Sequence, residues 1–128
     1  MKNEKPPTNE LTIEHRPLTN STDTEKKEME IQLSWEADKN ARSYDIFCQN
    51  APACCAIQDI AGKIFEIDSS KTDFFIGRAF ACDYQIERLV VQKHSPPQEE
   101  LKFKIYSNDA NGDTRLFCEN AIEIYQIL

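Results

Sequence analysis

The stretch MEIQLSWE, residues 29–36, has the clearest pattern in the chain. Met29, Ile31, Leu33 and Trp35 alternate with polar residues, so an extended backbone places all four on one face. A period of two with one polar face is typical of an antiparallel strand that packs against a core on one side. The stretch therefore predicts a half-buried strand with Trp35 in the core.

Short segments with similar patterns, separated by polar turns, follow along the chain. They are SYDIFC (43–48), CCAIQDIAGKIFEI (54–67, two short strands), DFFIGRAF (73–80), CDYQIERLVV (82–91), LKFKIYS (101–107) and AIEIYQIL (121–128). The parity of the apolar residues in CDYQIERLVV changes between Ile86 and Leu89, which predicts a bulge or the end of a strand. No segment shows a helical period bounded by caps. About seven short strands predict an all-β fold, an antiparallel β-sandwich.

The first 28 residues differ from the rest because they are polar and hold three of the six prolines. They predict a flexible polar leader over 1–28, with LTIEHRP, residues 11–17, as an alternative first strand, and a sandwich domain over 29–128. The predicted core residues are Leu33, Trp35, Tyr44, Ile46, Phe103 and Ile105.

The charge balance argues against two classes of partner. Lys and Arg number 15 against 22 Asp and Glu, for a net charge of −7, so nucleic acid and anionic membranes would be repelled. No apolar run is long enough for membrane insertion, and the first residues do not resemble a signal peptide. The five cysteines are an odd number, which favours reduced thiols and a cytoplasmic location. An extracellular location stays open if the sequence is a fragment.

Metal sites and catalytic groups are the next candidates. Asp109, Asn111 and Asp113 have the spacing that begins an EF-hand loop, but the sixth and twelfth positions hold Thr114 and Asn120 in place of Gly and Glu. The stretch therefore predicts a hairpin turn around Asn-Gly. His15, His94 and the cysteines show neither CxxC nor HxxxH spacing. We expect no metal, no cofactor and no catalytic residue.

Two resemblances add to this interpretation. The stretch EIQLSWEADKNARSYDIF (30–47) resembles the second and third strands of a fibronectin type III domain, with Trp35 and Tyr44 at the family's Trp and Tyr positions. LKFKIYSNDANGD (101–113) resembles that family's penultimate strand and the turn after it. The resemblance implies a fibronectin type III or immunoglobulin-like sandwich.

A second resemblance concerns FFIGRAFACDYQIERL (74–89) together with LKFKIYSNDANG (101–112). These stretches are similar to the β-sandwich appended to the catalytic barrel of family 85 endo-β-N-acetylglucosaminidases, which include cytosolic enzymes. The resemblance implies a non-catalytic accessory domain.

The outward faces of the strands suggest a binding surface. In a fibronectin-type arrangement the third, sixth and seventh strands share one sheet, and Phe47 and Tyr106 face outward if Ile46 and Ile105 face the core. The predicted partner-binding strip consists of Phe47, Tyr106, Tyr125, Lys102 and Lys104.

The predicted function is a non-catalytic module that contacts a protein partner or an adjoining domain of the same polypeptide. Two alternatives stay open. One is the accessory domain of a glycan-active hydrolase such as a cytosolic endo-β-N-acetylglucosaminidase, linked to glycans only through the parent enzyme. The other is a small secreted, disulfide-linked binding protein.

Overall fold

The structure is a computed structural model, and it describes residues 9–18, 26–50, 55–66, 73–92 and 100–123. Within these ranges the chain forms nine strands and no helix. The strands are β1 (Leu11–Pro17), β2 (Lys26–Trp35), β3 (Ala41–Asn50), β4 (Cys55–Asp59), β5 (Ile64–Glu66), β6 (Phe74–Ala79), β7 (Asp83–Gln92), β8 (Glu100–Asp109) and β9 (Thr114–Glu123). Accordingly, none of the described segments is a helix long and apolar enough to cross a membrane.

The strands are arranged in two sheets. The five-stranded sheet has the spatial order β1-β2-β7-β4-β5, and the four-stranded sheet has the order β6-β3-β8-β9. Neighbouring strands within each sheet are antiparallel. The predicted all-β antiparallel sandwich is confirmed, although the described residues form nine strands rather than about seven.

The spatial order of the strands is that of an immunoglobulin-like domain. β1-β2-β7-β4 has the order of the A-B-E-D sheet, and β3-β8-β9 has the order of the C-F-G sheet. β5 and β6 are additions between the D-like and E-like strands. Because β6 pairs with β3, it widens the C-F-G-like sheet on its β3 side.

β1 lies before Met29, where the sandwich domain was predicted to begin. It pairs with β2 from Leu11 opposite Trp35 to Pro17 opposite Met29, and Leu11 is buried in the core. Residues 11–17 therefore form the strand that the sequence offered as the alternative to a flexible leader, and β2 begins at Lys26. Sequence patterning is weak here because most side chains of this edge strand face solvent. Residues 1–8 and 19–25 lie outside the described ranges.

The closing strand also differs from the prediction. It begins at Thr114 and is described to Glu123, whereas alternation predicted 121–128. The pairing register with β8 shifts between Ile105 and Tyr106, and the adjacent residues Phe117 and Cys118 are both buried. This bulge breaks the period of two that would have marked the strand in the sequence.

The change of parity in β7 is a bulge, one of the two alternatives that the sequence left open, and the pairing register with β2 shifts there. Met29 pairs with Leu89 and Ile31 with Ile86, so β7 spans one residue more than β2. Ile86 and Leu89 consequently both face the core, where they are fully buried. The extra residue keeps two large apolar side chains inside despite the change of parity.

The core lies between the two sheets. The structure buries all six side chains that the sequence assigned to it: Leu33, Trp35, Tyr44, Ile46, Phe103 and Ile105. The Trp35 and Tyr44 rings meet edge to face, with centroids 5.3 Å apart. Such aromatic pairs add to the stabilisation that comes from burial alone.

Tyr84 of β7 links the two sheets at the edge strand β6. Its hydroxyl donates a hydrogen bond of 2.9 Å to the carbonyl oxygen of Ile76. The ring lies so close to Gly77 that a Cβ at that position would be 2.5 Å from the Tyr84 oxygen. Glycine is needed here because of this close approach.

On the opposite side, β1 and β9 join the sheets. Asn9 and Cys118 form a parallel bridge, and the Asn9 side-chain amide donates to the Phe117 carbonyl oxygen at 3.2 Å. The Asn120 amide donates to the Leu11 carbonyl oxygen at 2.9 Å. The edges of the two sheets are thus tied together by the side chains of Asn9, just before β1, and of Asn120 on β9.

Candidate functional site on the outer face of the four-stranded sheet

β3, β6 and β8 place three aromatic residues on the solvent side of the four-stranded sheet. Phe47 of β3 is paired with Phe75 of β6 and with Lys104 of β8, and Asp45 is paired with Tyr106. Since alternate residues of β3 and β8 face the core, Phe47 and Tyr106 are directed outward together. We call Phe47, Phe75 and Tyr106 the aromatic face.

The three rings contact one another in tilted, edge-to-face arrangements. The Phe47 centroid lies 5.4 Å from that of Phe75 and 5.2 Å from that of Tyr106. Phe75 is 47% exposed, while Phe47 and Tyr106 are half-buried by their neighbours. The contacts hold the rings in place without a covering layer of described residues, which leaves a fixed apolar surface open to solvent.

The polar side chains beside the rings are paired with one another. Asp73 accepts hydrogen bonds from the Lys104 ammonium at 3.2 Å and from the Tyr106 hydroxyl at 3.4 Å. On the β6 side, the Arg78 guanidinium donates to Asp45 at 2.8 Å. These bonds neutralise much of the charge around the aromatic face.

The pKa shifts fix the charge state of two of these groups. Burial raises the pKa of the Tyr106 hydroxyl, and the nearby Asp73 carboxylate raises it further. Burial alone would lower the pKa of Lys104, but the hydrogen bond and the charge of Asp73 outweigh it, so the pKa is raised. At neutral pH Tyr106 is therefore an uncharged phenol and Lys104 a paired cation.

The structure brings together three residues of the predicted strip: Phe47, Tyr106 and Lys104. Lys102 is half-buried on the same strand, where it is paired with Gln49. Tyr125 lies outside the described residues, so its place in the strip stays a prediction.

Phe75 was missed in the sequence analysis. It lies in DFFIGRAF, a segment that is apolar on both faces, and only one face of an outer strand can pack against the core. That pattern was the signal in the sequence that one of the adjacent residues Phe74 and Phe75 faces outward.

The outer face of the five-stranded sheet has a different character. It carries ion pairs between Arg16 and Glu30, at 2.9 Å, and between Arg88 and Glu28, at 3.0 Å. Exposed pairs of this kind are ordinary features of a solvated surface and contribute little to stability. The two faces of the sandwich are therefore unequal, and the aromatic one is the better candidate for a binding surface.

Residues 109–114, which have the spacing that begins an EF-hand loop, form the hairpin turn between β8 and β9. The Asp109 carboxylate accepts hydrogen bonds from the backbone amides of Asn111, at 2.8 Å, and Asp113, at 3.0 Å. Gly112 has a φ of 82°, which favours glycine. The carboxylate thus shapes the turn, and in the described part of the chain no three His, Cys, Asp or Glu side chains lie close enough to hold a metal ion.

Two of the described thiols, Cys48 and Cys118, are buried and poor nucleophiles. Burial raises the pKa of Cys48 to about 12, with a further contribution from the charge of Asp73, and burial raises the pKa of Cys118 to about 12. Both are thiols at neutral pH, and both are free of disulfides, as is the half-buried Cys82. Cys54 lies outside the described residues.

The strand order of the two sheets defines an immunoglobulin-like β-sandwich domain. The sequence profile of the family described as "ENGASE1-like, C-terminal immunoglobulin-like domain" matches residues 1–114, and the chain belongs to this family. The match includes the strands from β1 to β8. The resemblance to the accessory sandwich of endo-β-N-acetylglucosaminidases is thereby confirmed.

Comparison with other proteins adds two solved structures. No curated protein matches the chain. One of the two structures is the crystal structure of a conjugative transposon lipoprotein from Bacteroides eggerthii, with 14% sequence identity and a TM-score of 0.44. The alignment covers 88% of this chain and 94% of the lipoprotein chain. The solution NMR structure of a conjugate transposon protein from Bacteroides vulgatus is 14% identical, covers 97% and 89%, and has a TM-score of 0.42. At TM-scores this low, neither similarity bears on function.

Proposed function

We propose that this domain is a non-catalytic accessory module that binds protein through the aromatic face. The partner is the catalytic domain of the endo-β-N-acetylglucosaminidase-like polypeptide that carries it. The observation that carries the proposal is the contact among Phe47, Phe75 and Tyr106 on the solvent side of the sheet. Family membership supports the identity of the partner, because these domains are described as the C-terminal part of ENGASE1-like proteins.

The composition of the face suits a contact between domains. Protein interfaces are enriched in aromatic residues at their centre, and charged residues are commoner at the rim. Here the rings form the centre, and the Lys104–Asp73 and Arg78–Asp45 pairs lie beside them. Each of these charges already has its counter-ion within the domain. A partner can therefore cover the rings without burying an unpaired charge.

The link to glycans is indirect in this proposal. The Phe47 ring is inclined by 67° to that of Phe75 and by 76° to that of Tyr106. The rings share no common plane on which a sugar would stack. In this proposal the domain contacts the catalytic domain of a glycan-active enzyme, and the catalytic domain binds the glycan substrate.

The free thiols support a reducing, cytoplasmic location for the same module. Cys48 and Cys118 are fully buried, and Cys82 is half-buried next to the Tyr44 hydroxyl. None of the three forms a disulfide. A secreted, disulfide-linked binding protein is the less favoured alternative, because small secreted domains usually depend on such bonds.

The test is to titrate the isolated chain into a recombinant catalytic domain of an ENGASE1-like protein that lacks its own immunoglobulin-like domain. We expect saturable binding by calorimetry. Phe47→Ser combined with Phe75→Ser should weaken it about thirtyfold, since truncating central interface aromatics commonly costs about 2 kcal/mol or more. Phe80→Ser is the matched control, because Phe80 is exposed but lies outside the aromatic face.

The outcomes separate the parts of the proposal. Absence of binding by the unmodified chain would overturn the identity of the partner. Undiminished binding by a folded Phe47/Phe75 variant would overturn the aromatic face as the contact. If Phe80→Ser alone abolished binding, the contact would lie at the other end of β6.

A further inference from the structure

A cleft lies beside the edge strand β6, away from the centre of the aromatic face. It has a volume of about 500 Å³, and its lining includes β6 residues, the β6–β7 turn and the end of β4. Tyr84, Ile60 and Phe80 contribute the large side chains. Arg78 belongs both to this lining and to the polar pairs beside the aromatic face.

Two of the most exposed apolar side chains of the described residues lie at this cleft. Ile60 is 71% exposed and Phe80 is 80% exposed. A small-molecule pocket encloses most of its ligand, and a cleft whose large side chains are this exposed cannot do so. A side chain inserted from a larger partner fits better, because the remainder of that partner would cover Ile60 and Phe80.

The charges at the cleft are predominantly negative. Asp59 and Asp83 contribute carboxylates, and Asp59 accepts the Ala61 and Lys63 amides through Oδ1 alone. The Arg78 guanidinium is engaged by Asp45 at 2.8 Å. The field of Asp59 reaches into the cleft: the pKa of Tyr84 is raised to about 12, first by burial and then by this carboxylate. A positively charged group on the partner is therefore favoured.

We propose that this cleft binds an extended peptide segment of a partner protein. An apolar side chain of the segment lies between Ile60 and Phe80, and a lysine or arginine two positions away lies against Asp59 and Asp83. Side chains two positions apart share one side of an extended chain, so a single segment presents both groups to the cleft. This site does not depend on the aromatic face or on the catalytic-domain partner.

The test uses short acetylated, amidated peptides with the central sequences Leu-Ser-Lys, Leu-Ser-Glu and Ser-Ser-Lys. Each is titrated into the isotope-labelled chain at low ionic strength, and amide chemical shifts are followed by NMR. We expect Leu-Ser-Lys to bind and to shift the signals of Ile60, Phe80 and Tyr84. The charge-reversed and serine peptides should each bind at least fivefold more weakly.

Variants of the chain locate the site independently. Phe80→Ser should weaken binding of the Leu-Ser-Lys peptide about tenfold, and Asp83→Asn about threefold, a difference typical of an exposed ion pair. Phe75→Ser is the matched control and should leave affinity unchanged, because Phe75 is an exposed phenylalanine of the aromatic face.

Four results would overturn the proposal. They are no binding of the Leu-Ser-Lys peptide up to millimolar concentration, equal affinity for the Leu-Ser-Glu peptide, chemical-shift changes confined to the aromatic face, and dimerisation in sedimentation experiments that Phe80→Ser abolishes. The last result would show that a second copy of the chain occupies the cleft.

Discussion

Trp35 occupies the end of β2, 7% exposed and packed edge-on against Tyr44. We expect Trp35→Ala to lower the free energy of unfolding by about 3–5 kcal/mol, the usual cost of truncating a buried aromatic residue. Urea denaturation measures this loss. The native protein should also show blue-shifted tryptophan fluorescence that iodide quenches poorly.

A conservative replacement provides the control for Trp35. Its indole nitrogen is buried without a hydrogen-bond partner among the described residues. Trp35→Phe removes this unpaired donor and keeps an aromatic ring, so it should cost much less than the alanine variant. Strong iodide quenching in the native state would show that Trp35 is exposed and contradict its place in the core.

Asp38 links the β2–β3 loop to β9. Its side chain is 6% exposed and accepts hydrogen bonds from the Arg115 guanidinium at 2.8 Å and the Asn40 amide at 3.1 Å. Burial alone would raise the pKa of Asp38, but these bonds outweigh it and hold the pKa below its ordinary value of 3.8. The ionised carboxylate therefore stabilises the fold above that value, and this contribution is lost as pH falls through the lowered pKa.

The pair predicts a pH-dependent effect of Arg115→Gln. We expect the variant to lose about 1 kcal/mol at pH 7, because Arg115 itself is largely exposed and screened by solvent. The difference from the unmodified chain should shrink at a pH below the lowered pKa of Asp38, where the carboxylate takes up a proton. Urea denaturation at both pH values measures it, with Arg16→Gln at the exposed Arg16–Glu30 pair as control. An equal loss at both pH values would contradict the role assigned to ionised Asp38.

The β4–β5 and β8–β9 hairpins use the same turn. In each, an aspartate carboxylate accepts two backbone amides: Asp59 from Ala61 and Lys63, and Asp109 in the same relative positions. A glycine three residues after the aspartate has a positive φ, 89° at Gly62 and 82° at Gly112. This repeated geometry shows that the carboxylates organise the turns themselves.

The shared turn predicts how the hairpins respond to mutation and calcium. Asp109→Ala and Asp59→Ala should each lower stability by about 1 kcal/mol, because each removes a side-chain acceptor of two amides. Calcium should change neither value, as followed by thermal unfolding with and without the ion. A calcium-dependent rise in the midpoint that Asp109→Ala abolishes would show that a metal site exists there.

β1 has a weak hydrophobic pattern in the sequence, but its removal should strongly lower the stability of the domain. Deleting residues 1–8 should leave the midpoint of thermal unfolding nearly unchanged. Deleting residues 1–17 should lower it severely, because it removes buried Leu11, the ladder with β2 and the Asn9 contact with Phe117. A large loss from the shorter deletion would show that residues before Asn9 contribute to the sandwich.

Strands with one apolar face were predictable because their burial follows the period of two. In β2, β3 and β8 the inward residues alternate strictly enough to identify Leu33, Ile46 and Phe103 as core. β9 was not predictable in the same way. Its bulge places Phe117 and Cys118 on the same side, and only the pairing with β8 reveals this.

The candidate site was predictable to the extent that it depends on parity. Outward Phe47 and Tyr106 follow from inward Ile46 and Ile105. Phe75 and the pairing of Asp73 with Lys104 depend on which strand lies beside β3, and local sequence does not encode that neighbour. The cleft at Phe80 and Ile60 likewise combines segments that only the folded chain brings together.

The bridge between the start of β1 and β9 affects how the domain withstands force. Asn9 and Cys118 lie on segments that run in the same direction. Tension along the polypeptide pulls the first segment backward and the last one forward, so the contacts between them are sheared together rather than peeled apart singly. The side-chain amides of Asn9 and Asn120 bond across this contact, so we expect them to bear part of that load. We therefore expect the β1–β9 seam to determine the domain's mechanical strength when it is pulled by its ends.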